Sequence, residues 1–431
     1  MKRKSTKLFA SMLLAVLCIS LIGCTASKDV VTKKATDVNA RSVTLHGRVN
    51  ADFSKYNYVA FGIMYSTNRQ AIENRNGEMV YGEILDDTDY SITLRGLTSE
   101  TKYYSCAFMC LNGTQYKYGA IKHFTTKKRS LVKKTGRFSV SEDRQVAFSR
   151  GNLQYVRSSN ILSFAEQQYD MIGLANVRDG ELADKIDLFS WNTTESNCRG
   201  DFEDWGTYEI GTDAPDTWRT LTIYEWDYLL HKRANANNLK GVARINLSTD
   251  GSKCVNGLIL LPDDWICPDD VLFSSGFSDK YSDVEYSLLD WQSLEAAGAV
   301  FLPAAGYLRG SCVKGVGKWG YWGKYWSATS DSTDEAKYLY LDSTYADCSR
   351  FNDVSRYCGL SVRLVLCNEP KARGCLSIRI RQPHFLRCGG YNTYSIGCSR
   401  RVSKGADWYL VRLKLIFCKS MQRIVALYMV R

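Results

Sequence analysis

Asn112-Gly113 stands between two runs that both read as strands, KYYSCAFMC (Lys102–Cys110) and YKYGAIKHFTT (Tyr116–Thr126). A type I′ turn needs two consecutive residues at positive φ, and Asn-Gly supplies them at little steric cost. The dipeptide commits this stretch to an antiparallel hairpin. The pattern around it agrees. In RSVTLHGRVN, Val43, Leu45 and Val49 alternate with polar residues, and Gly47 falls in the same register. VAFGIMY (Val59–Tyr65) is a continuous apolar run suited to a central strand, and YSITLRGL alternates Ile92 and Leu94. About seven short strands in about 90 residues predict an all-β sandwich over residues 36–127.

Leu97, Thr101 and Tyr103 form L-x-x-x-T-x-Y just before the long strand. This resembles the tyrosine corner of fibronectin type III domains, which implies a Tyr103 hydroxyl bonded back to the upstream backbone. The ending Tyr118-Gly119 and Phe124-Thr125-Thr126 is similar to exported domains of this type in Bacteroides-like bacteria, although the usual early-strand Trp is absent.

The N-terminus sets location. Lys2, Arg3, Lys4 and Lys7 precede an apolar run from Leu8 to Ile22, shorter than the ~20 residues a membrane span needs. This fits a signal peptide over residues 1–23. The string LIGC resembles a bacterial lipoprotein box, which implies lipidation of Cys24 and a tether over residues 24–35. Thr25, rather than Asp, follows the Cys and points to the outer membrane. The lipid anchor is then the expected membrane partner.

Charge excludes one class. Of the +11 formal charge, residues 369–431 carry 13 Lys and Arg against 2 Asp and Glu, whereas residues 24–368 carry 39 basic against 43 acidic groups. A mildly acidic body without a basic stripe is not a nucleic-acid binder. The basic residues 369–431 also lose hydrophobic periodicity and read as a tail outside the fold. Fifteen Cys suggest a disulfide framework, but the nine left after removing signal, anchor and tail are odd in number. No C-x-x-C occurs, so these read as packing residues.

The basic run KKRSLVKK (Lys127–Lys134) marks a linker over 128–135. In the unit that follows, residues 136–368, Thr222 and Glu225 stand three apart before Trp226, Leu229 and Leu230, a capping-box signature. SLLDWQSLEAAG predicts a second helix stopped by Gly298, with Leu288, Trp291 and Leu294 on one side. GLSVRLVL predicts a last strand with Leu360, Val362, Leu364 and Leu366 facing one way.

GNLQY, FAEQQYDMIG, LTIYEWDYLL, GLILLPDDW, SLEAAGAVFLPAAGY, YWSATS and SVRLV follow in this order. They are similar to a domain of exported Bacteroides and Fibrobacter proteins with the C-type-lectin-like fold of formylglycine-generating enzymes. The resemblance implies an irregular α+β domain with two short helices, a small antiparallel sheet and long loops. The expected architecture is therefore multidomain, a fibronectin type III-like all-β sandwich followed by a C-type-lectin-like α+β domain.

Enzymes of that fold use copper-bound cysteines near the C-terminal strand. Cys348 and Cys358 lie there, but ten residues apart and without the Tyr-Cys-x-Arg setting. Calcium-dependent sugar strings are absent. Asp263, Asp264, Asp269 and Asp270 flank Trp265 and Pro268 and read as a solvated turn. G-x-S-x-G and H-E-x-x-H are absent too. The expectation is a non-enzyme with no catalytic residues, metal or cofactor. The remaining candidate is GKWGYWGKYW: Trp319, Tyr321 and Trp322 on a Gly-rich, mobile-looking loop would meet a glycan or protein ligand, while Tyr325 and Trp326 read as core. A copper-dependent oxidase and a structural subunit of a surface assembly are the alternatives.

Overall fold

A computed structural model describes residues 27–50, 55, 59–82, 88–191, 202–348 and 353–367, together with the strands at 393–397, 412–417 and 424–430. The signal peptide and Cys24 lie outside the described residues. The chain divides into a unit ending at Asn368 and a second unit, Glu369–Arg431. The second unit contains a three-stranded antiparallel sheet, Thr393–Gly397, Arg412–Phe417 and Ile424–Val430. No helix among the described residues is long and apolar enough to cross a membrane.

The first unit opens with a sandwich of two antiparallel sheets. One sheet joins β1 (Val30–Thr32), β2 (Val43–Val49) and β5 (Asp89–Leu94). The other joins β3 (Val59–Ser66), β4 (Glu78–Tyr81), β6 (Lys102–Leu111), β7 (Gln115–Tyr118) and β8 (Lys122–Thr125). The predicted alternation places Val43, Leu45 and Val49 inside, against Ile63, Ile92 and Met109. Each such side chain contributes about 1.5–3 kcal/mol by leaving water. Asn112 and Gly113 both take positive φ, 50° and 77°, and the hairpin closes as expected.

Three features depart from the pattern. The sheet begins at Val30, so part of the expected tether is strand. β7 and β8 pair with different halves of β6, and together they form one broken edge. A short helix, α1 (Arg69–Glu73), capped by Asn68, lays Ile72 beside Met64, Cys106 and Phe108 on the outer face of the second sheet. With a cover on each side, β6 is apolar on both faces rather than alternating.

The next part of the unit, from Gly136, is mixed, with many short strands and, among the described residues, two short α-helices. The capping box at Thr222 starts α2 (Ile223–Asp227), and its Trp226, followed by Leu229 and Leu230, is buried. The main sheet contains β9 (Lys240–Asn246) and β10 (Cys254–Leu260) as a hairpin, with β11 (Glu285–Ser287) parallel to β9. β12 (Val300–Pro303) runs antiparallel to β10. Helix α3 (Leu288–Ala296) begins at a Ser287–Asp290 capping box and ends before Gly298, at φ 103°. It packs Trp291 and Leu294 on this sheet.

β13 (Gly323–Ser330) and β14 (Glu335–Leu341) form a second antiparallel pair. The last strand, β15 (Leu364–Leu366), pairs with Trp218–Thr220. The segment 360–365 is buried on both faces, and Leu366, expected to face the same way as Leu360, Val362 and Leu364, is only partly buried. Leu360, Val362 and Leu364 share one cluster, and the fully buried Arg363 points away from it to Asn152 (3.3 Å) and Gln168 (2.5 Å). Burial pushes the Arg363 guanidinium down to about 10, opposed by the nearby Tyr325 and Glu295. The architecture is thus a multidomain, β-rich one. The eight described cysteines of the first unit are all free, and five are buried as packing residues.

Candidate functional site

The aromatic loop lies between the hairpin Tyr307–Arg309/Cys312–Lys314 and β13. Tyr325 and Trp326 are core, as expected, and the Trp326 indole N–H donates to the Phe189 carbonyl at 2.6 Å. Just before them the chain turns back on itself. Gly320 N–H donates to Val316 O (2.6 Å), and Tyr321 N–H to Gly315 O (2.8 Å). The loop is also tied to its surroundings. Asn256 receives it twice: its backbone N–H donates to Trp319 O and its side-chain amide to Gly320 O, both at 2.8 Å. Gly306 N–H donates to Trp322 O, also at 2.8 Å.

The Gly residues therefore do not mark looseness. Gly315 sits at φ 73°, and a Cβ there would overlap the Trp322 indole. The glycines let the rings fold over backbone.

Of the three predicted residues, Tyr321 and Trp322 lie side by side, Trp319 has cationic rather than aromatic neighbours, and the three are not equally displayed. Tyr321 is 63% exposed. Trp319 and Trp322 are half-buried. The Tyr321 and Trp322 rings lie 6.4 Å apart at 37°. Trp319 carries two cations, Arg244 and Lys318, each 4.5 Å from the ring centroid. Arg244 is held in turn by Asn256 (3.1 Å) and Glu285 (3.1 Å). The result is a polar-rimmed aromatic surface whose backbone is already ordered. Such a surface can stack on a flat apolar face and can receive hydrogen bonds around it.

The cysteines named from the sequence lie apart. Cys348 belongs to the cluster with Val242, Leu341 and Val365, and Cys358 to the cluster with Trp326 and Leu360. Burial raises the pKa of both thiols, most strongly for Cys348.

The acidic turn is not simply solvated. Asp263 accepts from Ser139 N–H and Oγ (2.8 and 2.7 Å), Gln145 (2.7 Å) and Arg233 (3.0 Å). Asp269 accepts from Asn39 (3.0 Å) and Asp270 from Ser293 (2.8 Å).

Sequence reading missed one group. Asp331, Glu335 and Asp353 bring carboxylate oxygens within 4.8 Å of one another. Asp353 joins only because the strand Asp353–Ser355 pairs with β14, a contact without local signature. Lys337 Nζ stands 2.6 Å from Asp331 and already supplies a positive charge there, and Asp331 is held below its ordinary pKa by that bond first.

Comparison with known proteins covers parts of the chain. Residues 289–365 match the family model described as a domain of unknown function, DUF8237. No curated protein matches. Among solved structures, the chain is similar to the sensor domain of the anti-sigma factor RsgI4 in Pseudobacteroides cellulosolvens. The identity is 16%, covering 23% of this chain and 94% of that one, with a TM-score of 0.18. It is likewise similar to a fibronectin type III domain derived from human KIAA0970 protein. There the identity is 19%, covering 24% of this chain and 75% of that one, with a TM-score of 0.18.

Proposed function

We propose that this protein is a lipid-anchored bacterial lipoprotein of the outer membrane that acts as a non-enzymatic binding module for a glycan or protein. In this reading the sandwich is a fibronectin type III-like domain, and the domain after it is C-type-lectin-like. Its ligand meets Trp319, Tyr321 and Trp322. The observation that carries the reading is the ordering of that loop. The exposed Tyr321 and the half-buried Trp319 and Trp322 sit on a backbone bonded to Asn256 and Gly306, so little conformational entropy remains to be lost on binding. The separation of Cys348 and Cys358 into two clusters, with both thiols shifted toward the protonated form, supports this reading over a copper-dependent oxidase.

A glycan and protein array probed with the full chain and with Tyr321→Ala tests it. The expected result is a discrete set of ligands whose signal falls at least tenfold in the variant, with unchanged melting temperature. Equal binding by both proteins overturns the assignment to this loop.

A further inference from the structure

We infer that the sandwich and the mixed domain after it are locked at one angle by a charged joint on helix α3, so that the pair moves as a single rigid body. This goes beyond a binding role, and it does not depend on which ligand the aromatic loop takes.

The joint is built from residues that no local pattern links. Arg41 lies in the Asn39–Ser42 turn just before β2, with a side chain only 5% exposed. Its guanidinium leaves the sandwich and reaches Asp290 at 2.9 Å and Asp270 at 3.4 Å. Asp290 is also the N3 residue of the α3 capping box. Its Oδ2 accepts from Ser287 N–H (3.0 Å) and Oγ (2.6 Å), while Oδ1 takes Arg41. One carboxylate therefore holds both the start of the helix and the neighbouring domain. Asp270 is shared in the same way between Arg41 and Ser293.

The connecting segment docks on the same helix. Arg129 donates to Leu289 O (2.7 Å), Gln292 Oε1 (2.8 Å) and Ser293 Oγ (3.0 Å). Lys134 N–H donates to Ala296 O at 2.8 Å. Helix α3 is thus gripped at its start, middle and end. Arg41 ion-pairs with both Asp270 and Asp290, Arg129 lies in the field of the same two carboxylates while bonding neutral acceptors, and Lys133 stands 3.6 Å from Glu295.

Desolvation offsets much of the attraction in such pairs, so their contribution lies in fixing geometry rather than in adhesion. The covalent connection supplies the rest. With only residues 128–135 between the domains, the local concentration of one for the other is on the order of millimolar, and a modest interface stays closed.

Hydrogen exchange on the full chain tests the joint. In Arg41→Met, amides of α3 and Lys134 are expected to exchange at least tenfold faster, together with the Asn39–Ser42 turn. In Arg48→Met, which removes an exposed pair with Asp89 elsewhere on the sandwich, α3 is expected to be unchanged. Faster exchange confined to the Asn39–Ser42 turn would show that Arg41 serves only its own domain and would overturn the inference, as would no change at all. Should Arg41→Met not fold, Asp270→Asn and Asn39→Ala give the same readout, and unchanged exchange across the joint in both overturns it.

Discussion

The Tyr103 hydroxyl accepts the backbone N–H of Thr98 at 3.0 Å. The ring crosses the turn between β5 and β6, stacks on Phe124 with centroids 5.4 Å apart, and lies in the sandwich core. This one bond satisfies an amide that the turn leaves without a ladder partner. It also fixes where β6, the central strand of its sheet, begins.

Tyr103→Phe keeps the packing and removes the acceptor. Loss of a bond from a part-buried amide costs ~1–2 kcal/mol. Urea denaturation of the variant should show that loss in the sandwich transition, with an unchanged slope. An unshifted midpoint would mean that water replaces the hydroxyl at no cost.

Glu225 makes stability depend on pH. Burial disfavours its charged form. Hydrogen bonds from Arg219 (2.8 and 2.9 Å) and Thr222 N–H (2.8 Å), with the positive fields of Arg219 and Arg144, outweigh that and hold its pKa below the ordinary value. The folded pKa is depressed, so the stabilisation is fully present above the unfolded value of about 4.3 and is lost as pH falls through the folded value. Glu225→Gln should destabilise the protein by about 1.5–3 kcal/mol at pH 7. The Arg219 and Arg144 guanidiniums are partly exposed and recover some hydration, which favours the lower end. The gap between wild type and variant should narrow below pH 4. A gap that stays constant with pH would rule out this linkage.

Cys24→Ala tests location. Lipid chains contribute ~0.8 kcal/mol per buried CH₂ to membrane attachment, and a lipid anchor would be the long-lived contact. Cell fractionation should move the Ala variant from the membrane pellet to the soluble fraction. A variant that stays in the pellet after a salt wash contradicts the lipoprotein reading.

Truncation after Asn368 should leave the first unit intact. Its last strand is complete at Leu366, paired with Trp218, and Glu369–Arg431 forms a separate unit. The melting temperature should change by less than a degree or two, since no core position is removed. Failure to fold would make the basic segment part of the structure.

Much of the fold was legible because its signals are local. A turn that needs two positive φ angles is written as Asn112-Gly113, and a helix start as Thr222 and Glu225 three residues apart. Alternation at Val43, Leu45 and Val49 declares a strand with one wet face. The same reasoning failed where burial is two-sided. Helix α1 offers one buried residue, Ile72, too few to show a period, and its cover makes β6 apolar throughout.

For the candidate site, the residue types of Trp319, Tyr321 and Trp322 were readable, but their exposure and order were not. Gly315 and Gly320 suggest mobility when read alone. Only the bonds to Asn256 and Gly306, 63 and 16 residues from Trp319 and Trp322, make the loop a fixed surface. The sequence by itself determined the Asn112-Gly113 hairpin, the alternating strand Val43–Val49 and the capped helix starts at Thr222 and Ser287, because backbone sterics and side-chain period act over a few residues. Tertiary structure alone decided that Arg41 meets Asp290 and that Asp353 joins Asp331. A charge has no partner until the chain brings one within a few ångströms.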